Sequence, residues 1–458
     1  MVLISTNSKT HADKLDRAFR PIYYLGCKAS FTSEIQAAID EVDPSGGRVL
    51  DLFAGTGSVG LALGVSREVT TVDMQEYSRV LCSAVLNPSG LSHNEIKEFL
   101  ACATSNETSK QVLWCLKPLI NYEIKCIEAA VSGDCSSLVE LLESPPLAVR
   151  ATPEFADTST NFSNAANEVI RRFYEVGLWQ SPATTVARYF GGVYFSFTQA
   201  AMLDAILSAA ESSNEQDRDT LKAAVLSTAS QLVNTVGKQF AQPIQPRNKS
   251  GAVKTSLIKV VERDRFMDVL ELFQAWLSKY ASLPRAIGNP IALQQDYLNA
   301  LTEQGESCSV IYADPPYTRD HYSRFYHVLE TMCLRDNPLI SKVMKDGSLM
   351  PSRGAYREER HQSNFCIRSA APTAFNALFK SAREHNLPLV LSYSPYETDD
   401  GTHPRVVSIS QILHIANQYY KRVEVSAVNG ITHNQLNRSG LKLKTRENAE
   451  ILLKCFCS

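Results

Sequence analysis

The stretch RVLDLFAGTGSVG, residues 48–60, joins a short apolar run to a glycine-rich turn and the start of a helical pattern. The run before the glycines has the length of a buried strand, and the apolar residues after them recur at helical spacing. A second unit follows at once, with REVTTVD (67–73) as its strand and residues 74–86 as its helix. Two successive strand–helix units predict a parallel, right-handed, doubly wound α/β sheet.

The middle of the chain differs from both ends in its predicted secondary structure. After residue 88 the sequence consists of long stretches with helical spacing, and β-type segments return only near residue 308. These later predicted strands are CSVIYADPPY (308–317), LPLVLSYSP (387–395), RVEVSAV (422–428) and AEILLKC (449–455). At 458 residues the chain exceeds one ordinary hydrophobic core. We therefore predict one Rossmann-like sheet domain with a large, mainly helical insertion, divided as 1–90, 91–286 and 287–458.

Charge balance and cysteine usage limit the classes of protein to consider. The chain has 46 Lys plus Arg and 48 Asp plus Glu, a net charge of -2, so any surface for nucleic acid must be local. The 11 cysteines include no CxxC pair, which favours reduced thiols over disulfides or a zinc site. No apolar run approaches the roughly 18 residues that span a bilayer, and the N-terminal apolar stretch is too short for a secretory signal. We expect a cytoplasmic protein that binds neither membrane nor metal.

Gly55, Gly57 and Gly60 form a G-x-G-x-x-G loop between the first strand and its helix. Such glycines let the main chain pass close to a ligand, and the helix N-terminus favours a negative group. Asp73, at the end of the next strand, is placed to accept hydrogen bonds from ribose hydroxyls. The loop indicates a cofactor that carries a nucleoside, and it fits a nicotinamide dinucleotide and S-adenosylmethionine equally.

The tetrapeptide Asp314-Pro315-Pro316-Tyr317 favours the second cofactor, because a dinucleotide oxidoreductase leaves it unexplained. It follows an apolar strand, so it lies where α/β sheets build their active sites, and two prolines turn the chain out of the sheet. The tetrapeptide suits a substrate whose amino group is attached to an aromatic base, an amine that is a poor nucleophile. Asp314 and the Pro315 carbonyl can accept hydrogen bonds from the two N–H groups of this amine while Tyr317 stacks on the base. This predicts methyl transfer to an exocyclic amino group, driven mainly by in-line positioning beside a sulfonium.

The order of these motifs resembles that of the Dam-like amino-methyltransferases of DNA, in which the glycine loop comes first, target recognition second and DPPY third. The resemblance covers about residues 23–77 and 291–395. It implies an S-adenosylmethionine-dependent, site-specific methyltransferase that acts on a flipped adenine in double-stranded DNA. Residues 1–90 would then be the cofactor half and residues 287–458 the catalytic half of the methyltransferase domain.

The resemblance also implies the site residues. The segment YLGCK (24–28) is similar to the one that closes over the methionyl group, and YSRFYHVLETM (322–332) stands in place of a helix that lines the cofactor pocket. The implied catalytic residues are Asp314, Pro315, Pro316 and Tyr317. The implied cofactor contacts are Tyr24, Gly26, Lys28, Asp51, Phe53, Ala54, Gly55, Thr56, Gly57, Ser58, Asp73, Met74, Asp296 and Tyr297.

The insertion, residues 91–286, is available to read DNA. Within it, residues 242–259 carry four cationic side chains and no acid, which fits either a phosphate contact or a solvated loop. The aromatic cluster 189–197 is expected to be buried packing. The arginine-bearing stretch 353–360 is expected to be a mobile DNA-facing loop, and residues 433–440 to border the flipped base. The candidate DNA contacts are Arg247, Lys249, Lys254, Arg319, Tyr322, Arg353 and Arg357.

Other functions remain to be weighed. Methylation of a cytosine ring carbon needs a nucleophilic cysteine, typically after proline, and the sequence has no Pro-Cys pair. Asp314 favours the adenine amino group as the target. The main enzymatic alternatives are methylation of the cytosine amino group in DNA and methylation of an amino group in RNA. A catalytically silent DNA-binding subunit is the alternative from another class, and the intact Asp314, Tyr317 and glycine loop argue against it. The expected setting is restriction-modification or phage defence, where a cognate restriction or defence-system subunit would be a partner besides DNA.

Overall fold

The computed structural model describes residues 19–24, 26, 28–152, 160–316, 322–345, 347–394, 405–428 and 450–457. The strands are β1 (Val49–Leu52), β2 (Val69–Asp73), β3 (Ile291–Gln294), β4 (Val310–Ala313), β5 (Lys342–Lys345), β6 (Ser348–Pro351), β7 (Leu389–Tyr393), β8 (Arg422–Val428) and β9 (Glu450–Phe456). The helices are α1 (Thr32–Val42), α2 (Ser58–Gly64), α3 (Glu76–Leu86), α4 (His93–Ser105), α5 (Glu107–Val131), α6 (Ser136–Glu143), α7 (Leu147–Arg150), α8 (Asn161–Glu175), α9 (Thr185–Phe190), α10 (Phe197–Glu211), α11 (Glu215–Leu232), α12 (Leu257–Arg265), α13 (Val269–Ala281), α14 (Tyr297–Gln304), α15 (Tyr322–Phe325), α16 (His327–Leu334), α17 (Ala371–Glu384) and α18 (Ile409–Tyr419).

Seven strands form one sheet in the order β3-β2-β1-β4-β7-β9-β8. Neighbours from β3 to β7 pair in parallel, and β9 pairs antiparallel with both β7 and β8. The chain moves outward from β1 to β2 and β3 on one side, and then continues through β4 and β7 on the other. The strand order therefore reverses between β1 and β4, which is where open α/β sheets bind ligands. This mixed α/β architecture is compatible with the Rossmann-like methyltransferase sheet predicted from the sequence.

The buried strands are those that the sequence predicts best. Strands β1 (VLDL) and β7 (LVLSY) are buried along their whole length, and such strands consist of near-continuous apolar runs. All the strands predicted from the sequence are present. Strand β3 (IALQ) was missed because it is short, lies at the sheet edge and is only partly buried. The β5–β6 hairpin, which forms a separate two-stranded sheet, was missed as well.

Successive strand residues face two hydrophobic clusters on opposite sides of the sheet. Val49 and Val310 join the cluster on one face, whereas Leu50 and Ile311 join the cluster on the other. This alternation follows from the two-residue period of a strand. Helices α1, α2 and α3 cover the first face, and α14, α17 and α18 cover the second.

The middle of the chain, from α4 to α13, is helical and packs on the first face. Helix α11 lies against α3, where Arg79 pairs with Asp219 at 2.8 Å. The two ends of the insertion meet, because the Ala286 N–H donates to the Leu86 carbonyl at 2.9 Å. One hydrophobic cluster continues from the sheet into these helices, and the boundaries at residues 90 and 286 stay predictions. In the part of the chain that the structure describes, no helix is long and apolar enough to cross a membrane.

Candidate active site

A cleft lies at the carboxyl ends of β1, β2 and β4, at the point where the strand order reverses. Its volume is about 1220 Å³ with the open mouth included. Most residues predicted to bind a cofactor or to act on a substrate line it: Tyr24, Gly26, Lys28, Asp51, Phe53, Ala54, Gly55, Thr56, Ser58, Asp73, Met74, Asp296, Tyr297, Asp314, Pro315 and Pro316. Segments far apart in the sequence therefore meet at one place in the fold.

The glycine loop between β1 and α2 is closely covered on one side. Gly55 has a φ of 57°, and a Cβ at this position would lie 2.8 Å from the Tyr24 hydroxyl. The Tyr24 ring in turn stacks on Tyr326, with centroids 4.9 Å apart. Gly57 departs from the prediction, since it does not line the cleft. A Cβ on Gly57 would lie 2.7 Å from Val85 Cγ2, so this glycine permits helix packing rather than ligand approach.

Asp73 ends β2 and holds the glycine loop in place. Its Oδ2 accepts the Gly55 N–H at 3.0 Å, and its Oδ1 accepts the Gln75 N–H at 3.1 Å. Burial raises the pKa of the Asp73 carboxyl, and these two amide bonds oppose the rise. The carboxylate therefore orders the loop while it faces the cleft.

Asp51, on β1, brings a fully buried carboxyl group to the cleft wall. Among the described residues, no donor meets either of its oxygens in good hydrogen-bond geometry, and the Gly60 N–H makes a weaker contact that lowers its pKa. Burial raises the pKa of Asp51 well above its ordinary value of 3.8, and the charges of Asp314 and Asp73 raise it further. A buried polar group in this state is a place where a ligand with a donor or a positive charge would be stabilised.

Asp314, the first residue after β4, lies in a group of buried charges. The Lys28 ammonium is 2.7 Å from Asp314 Oδ2 and 3.7 Å from Glu450 Oε1. The Ser392 hydroxyl on β7 donates to the same Glu450 oxygen at 2.7 Å. Lys28 lines the cleft as predicted, but its charge lies at the Asp314 end, not over the glycine loop. Glu450, at the start of β9, was not among the predicted site residues.

Part of the predicted catalytic segment lies outside the described residues. Tyr317 and Arg319 belong to that part, and the side chain of Tyr322 does as well. Stacking by Tyr317 and DNA contacts by Arg319 and Tyr322 therefore stay predictions. Pro316 is described, and its carbonyl is 3.9 Å from the Cys366 sulfur, which donates to it.

Three aromatic rings form an apolar wall of the cleft. The ring centroids of Phe53, Tyr297 and Phe365 lie 5.2 to 5.4 Å from one another. Phe53 has a φ of 62°, which is rare for a residue with a side chain and is typical of functional sites. Asp296, beside Tyr297, caps α14 by accepting the Leu298 N–H at 2.9 Å. The wall offers flat apolar surfaces of the kind that bind a planar base.

A comparison with curated proteins found no match. Residues 24–112 match a family model described as D12 class N6 adenine-specific DNA methyltransferase. The chain is an adenine-specific DNA methyltransferase. The matched segment contains the Tyr24–Lys28 segment, the glycine loop and Asp73, and it ends long before Asp314. The enzyme class inferred from the DPPY tetrapeptide is thus confirmed by a different part of the chain.

One wall of the methyltransferase cleft was not predicted from the sequence. Residues 361–366, which precede α17, line the cleft with His361, Gln362, Ser363, Asn364, Phe365 and Cys366. Val59, Gln75, Tyr312 and Ser323 complete the lining that was not predicted. A polar run ending in Phe365 just before a helix was the available signal. The neighbouring arginines instead indicated contact with DNA.

Two arginines of the methyltransferase that were predicted to contact DNA from a mobile loop are tied down within the protein. Arg353 donates to the Leu142 and Ile244 carbonyls at 2.6 and 2.7 Å. Arg357 makes two hydrogen bonds to Asp336, at 2.7 and 2.6 Å. The expectation of a mobile loop is therefore corrected, because both guanidinium groups fasten this segment to the insertion and to the end of α16.

The basic stretch of the insertion is more open than this arginine group. Arg247 forms an ion pair with Glu143 at 3.0 Å, whereas no ion pair within the described ranges involves Lys249 or Lys254. Lys249 is exposed and Lys254 is partly exposed, so both remain candidates for phosphate contact in the methyltransferase. The aromatic cluster 189–197 is buried, as expected. Residues 433–440 lie outside the described residues.

Proposed function

We propose that this methyltransferase binds S-adenosylmethionine in the cleft and transfers its methyl group to the exocyclic amino group of an adenine rotated out of duplex DNA. One observation supports this proposal above the others. The glycine loop after β1 and residues Asp314–Pro316 after β4 line the same cleft. A cofactor bound by the first would lie beside a base bound by the second. In-line transfer depends on this proximity.

The side chains of the cleft fit the chemical parts of S-adenosylmethionine. The methionyl ammonium would satisfy the Asp51 carboxyl group, which beside a weak contact from the Gly60 N–H has no hydrogen bond of good geometry within the described ranges. Asp73 has the position of a carboxylate that accepts ribose hydroxyls, and the rings of Phe53 and Phe365 provide faces for the adenine. The cofactor supplies a methyl group activated by its sulfonium. The protein contributes binding and orientation.

Asp314 and the Pro315 carbonyl are the acceptors that we assign to the target amino group. The exocyclic nitrogen of adenine shares its lone pair with the ring, which makes it a weak nucleophile. Hydrogen bonds from both of its N–H groups favour the tetrahedral geometry in which the lone pair is free to attack. An adenine inside a duplex does not reach such a cleft, so the base has to leave the stack. Tyr317 is the proposed stacking partner.

We place the DNA-binding surface at the mouth of the cleft. Along the chain, the β5–β6 hairpin comes shortly after α16 and before the cleft-lining segment 361–366. Its Met344 and Leu349 side chains are 69% and 59% exposed, which suits contact with bases or sugars. Lys249 and Lys254 are the phosphate contacts that we assign to the insertion.

Methylation-sensitive long-read sequencing of DNA from cells that express the protein tests the proposal. N6-methyladenine at one sequence motif, lost with an Asp314→Ala variant, supports it. Unmodified adenine, or methylated cytosine in its place, contradicts it. A role in restriction-modification or phage defence, with a cognate nuclease or defence subunit, stays a prediction that phage challenge of the same cells tests.

A further inference from the structure

Lys28 holds the carboxylate that the proposed function assigns to the target base. Its ammonium is 2.7 Å from Asp314 Oδ2, and the lysine side chain is 5% exposed. A hydrogen bond from a charged donor is about twice as strong as one from a neutral donor. A neutral adenine amino group therefore competes at a disadvantage for Asp314 Oδ2 as long as Lys28 remains there.

A second carboxylate is available to the same ammonium. Glu450 Oε1 lies 3.7 Å from the Lys28 nitrogen, and the Glu450 side chain is 0% exposed. Strand β9 runs antiparallel to β7, so its first residue lies at the carboxyl ends of the parallel strands, where β4 also ends. The Ser392 hydroxyl orients the carboxylate by donating to Oε1 at 2.7 Å. A buried charge is stabilised only when it is paired, and Glu450 offers such pairing within a short movement of Lys28.

We propose that Lys28 alternates between Asp314 and Glu450 during the reaction cycle. Without a target base the ammonium neutralises Asp314. When the adenine enters, the ammonium moves to Glu450, and Asp314 becomes available to accept an adenine N–H. The ammonium stays paired throughout, so breaking its contact with Asp314 leaves no unpaired buried lysine. Glu450 is thus a positioning residue that acts through Lys28, and the proposal rests on the function proposed above.

The direction of this movement also agrees with the charges in the cleft. Strands β4 and β7 separate β9 from β1 and its glycine loop, so a move towards Glu450 takes the ammonium away from the cofactor side. Like charges repel strongly where water is excluded. A sulfonium beside the glycine loop would therefore favour the Glu450 position, and its conversion to a neutral thioether would favour the return to Asp314.

The sign of the coupling between two substitutions tests the proposal. Wild type, Glu450→Gln, Lys28→Met and the double variant are compared by tritium transfer from labelled S-adenosylmethionine to unmethylated genomic DNA. Glu450→Gln should lower kcat at least tenfold, because it removes the carboxylate to which Lys28 moves, and should change the KM for S-adenosylmethionine less than threefold. Adding Lys28→Met should restore kcat to within about threefold of Lys28→Met alone. Without cofactor, the affinity for the same DNA should fall in Glu450→Gln and recover in the double variant, as kcat does.

The control is Glu424→Gln, which removes a partly exposed carboxylate that pairs with Lys454 of β9 and should leave kcat unchanged. A Glu450→Gln enzyme with normal kcat overturns the proposal, and so does a double variant as slow as Glu450→Gln. Where thermal melting shows that Glu450→Gln does not fold, Ser392→Ala replaces it, with a smaller loss of the same sign. A wild type that methylates no adenine refutes the proposed function, whereas an active wild type without relief by Lys28→Met refutes the movement alone.

Discussion

Asp314 is the residue to which the proposed chemistry assigns the closest contact with the reacting nitrogen. Asp314→Ala should lower kcat on the order of 10²- to 10³-fold, because one of two preorganised acceptors is lost. Its affinity for S-adenosylmethionine should change less than about threefold, since Asp51 and Asp73 remain. Tritium transfer and calorimetry measure the two quantities. Asp268→Ala, which removes a helix cap in the insertion, is the matched control and should keep kcat. Near-normal transfer by Asp314→Ala would refute the assignment.

Asp73 belongs to the cofactor side of the same cleft. Asp73→Ala removes the acceptor for the Gly55 and Gln75 amides as well as the proposed ribose contact. The loss of charge-assisted hydrogen bonds should weaken S-adenosylmethionine binding by about 1.5–3 kcal/mol, a factor of about 10 to 150. Calorimetric titration measures the change. Unaltered affinity would show that another group binds the ribose.

At the residue scale, the sequence predicted those site residues that belong to contiguous motifs. The glycine loop and Asp314–Pro316 can be recognised locally, because their chemistry and their backbone geometry lie in neighbouring residues. Glu450 and the wall at 361–366 could not be found this way, since only the β7–β9 pairing and the return of the chain to the cleft bring them there. The charge of Arg353 likewise does not reveal whether its partner is a phosphate or a carbonyl.

At the scale of elements, Glu330 of α16 caps the start of α3. It accepts the N–H groups of Glu76 and Tyr77 at 3.1 and 3.0 Å. Burial raises the pKa of Glu330 from 4.5 to about 7, although both amides oppose the rise. The folded protein therefore retains a proton that the unfolded chain releases between pH 4.5 and 7. This contribution makes the folded state less stable as pH rises through that window, by on the order of 3 kcal/mol.

Glu330→Gln should flatten this pH dependence. Between about pH 5 and pH 8, the range in which Glu330 titrates, the melting temperature of the variant should fall less than that of the wild type. Circular dichroism measures both melting temperatures. Glu303→Gln, an exposed substitution on α14, should keep the wild-type slope. Identical slopes for wild type and Glu330→Gln would show that Glu330 is already ionised in the folded protein.

The elements themselves were predictable where burial is simple. Strands covered on both faces have apolar runs that stand out in the sequence, and β1, β4 and β7 are of this kind. Strand β3 lacks such a run because the sheet edge leaves it partly exposed. Its place is determined by pairing with β2, which no local pattern reports.

At the scale of the whole molecule, a net charge of -2 means that DNA binding depends on local features. Lys249→Ala with Lys254→Ala should weaken DNA binding and reduce the slope of log affinity against log salt by about 2, since each phosphate contact contributes about 0.9. Met344→Ser with Leu349→Ser should weaken binding without altering that slope. Fluorescence anisotropy over a salt series measures both, with Lys380→Ala on α17 as the control. A slope unchanged by loss of both lysines would place the phosphate contacts elsewhere.

The hydrogen bond between Ala286 and Leu86 has a consequence for how this enzyme diversifies. Because the insertion begins and ends at one point, beside the end of α3, we expect that its helices can be exchanged as a unit while the order and pairing of the strands are kept. A replacement has to keep the surfaces that pack on the rest of the protein, among them the face of α11 against α3 and the Leu142 and Ile244 carbonyls that bind Arg353. Since the insertion is the predicted target-recognition region, we expect its exchange, by recombination or in an engineered chimaera, to change the DNA sequence that is methylated while the catalytic residues stay in place.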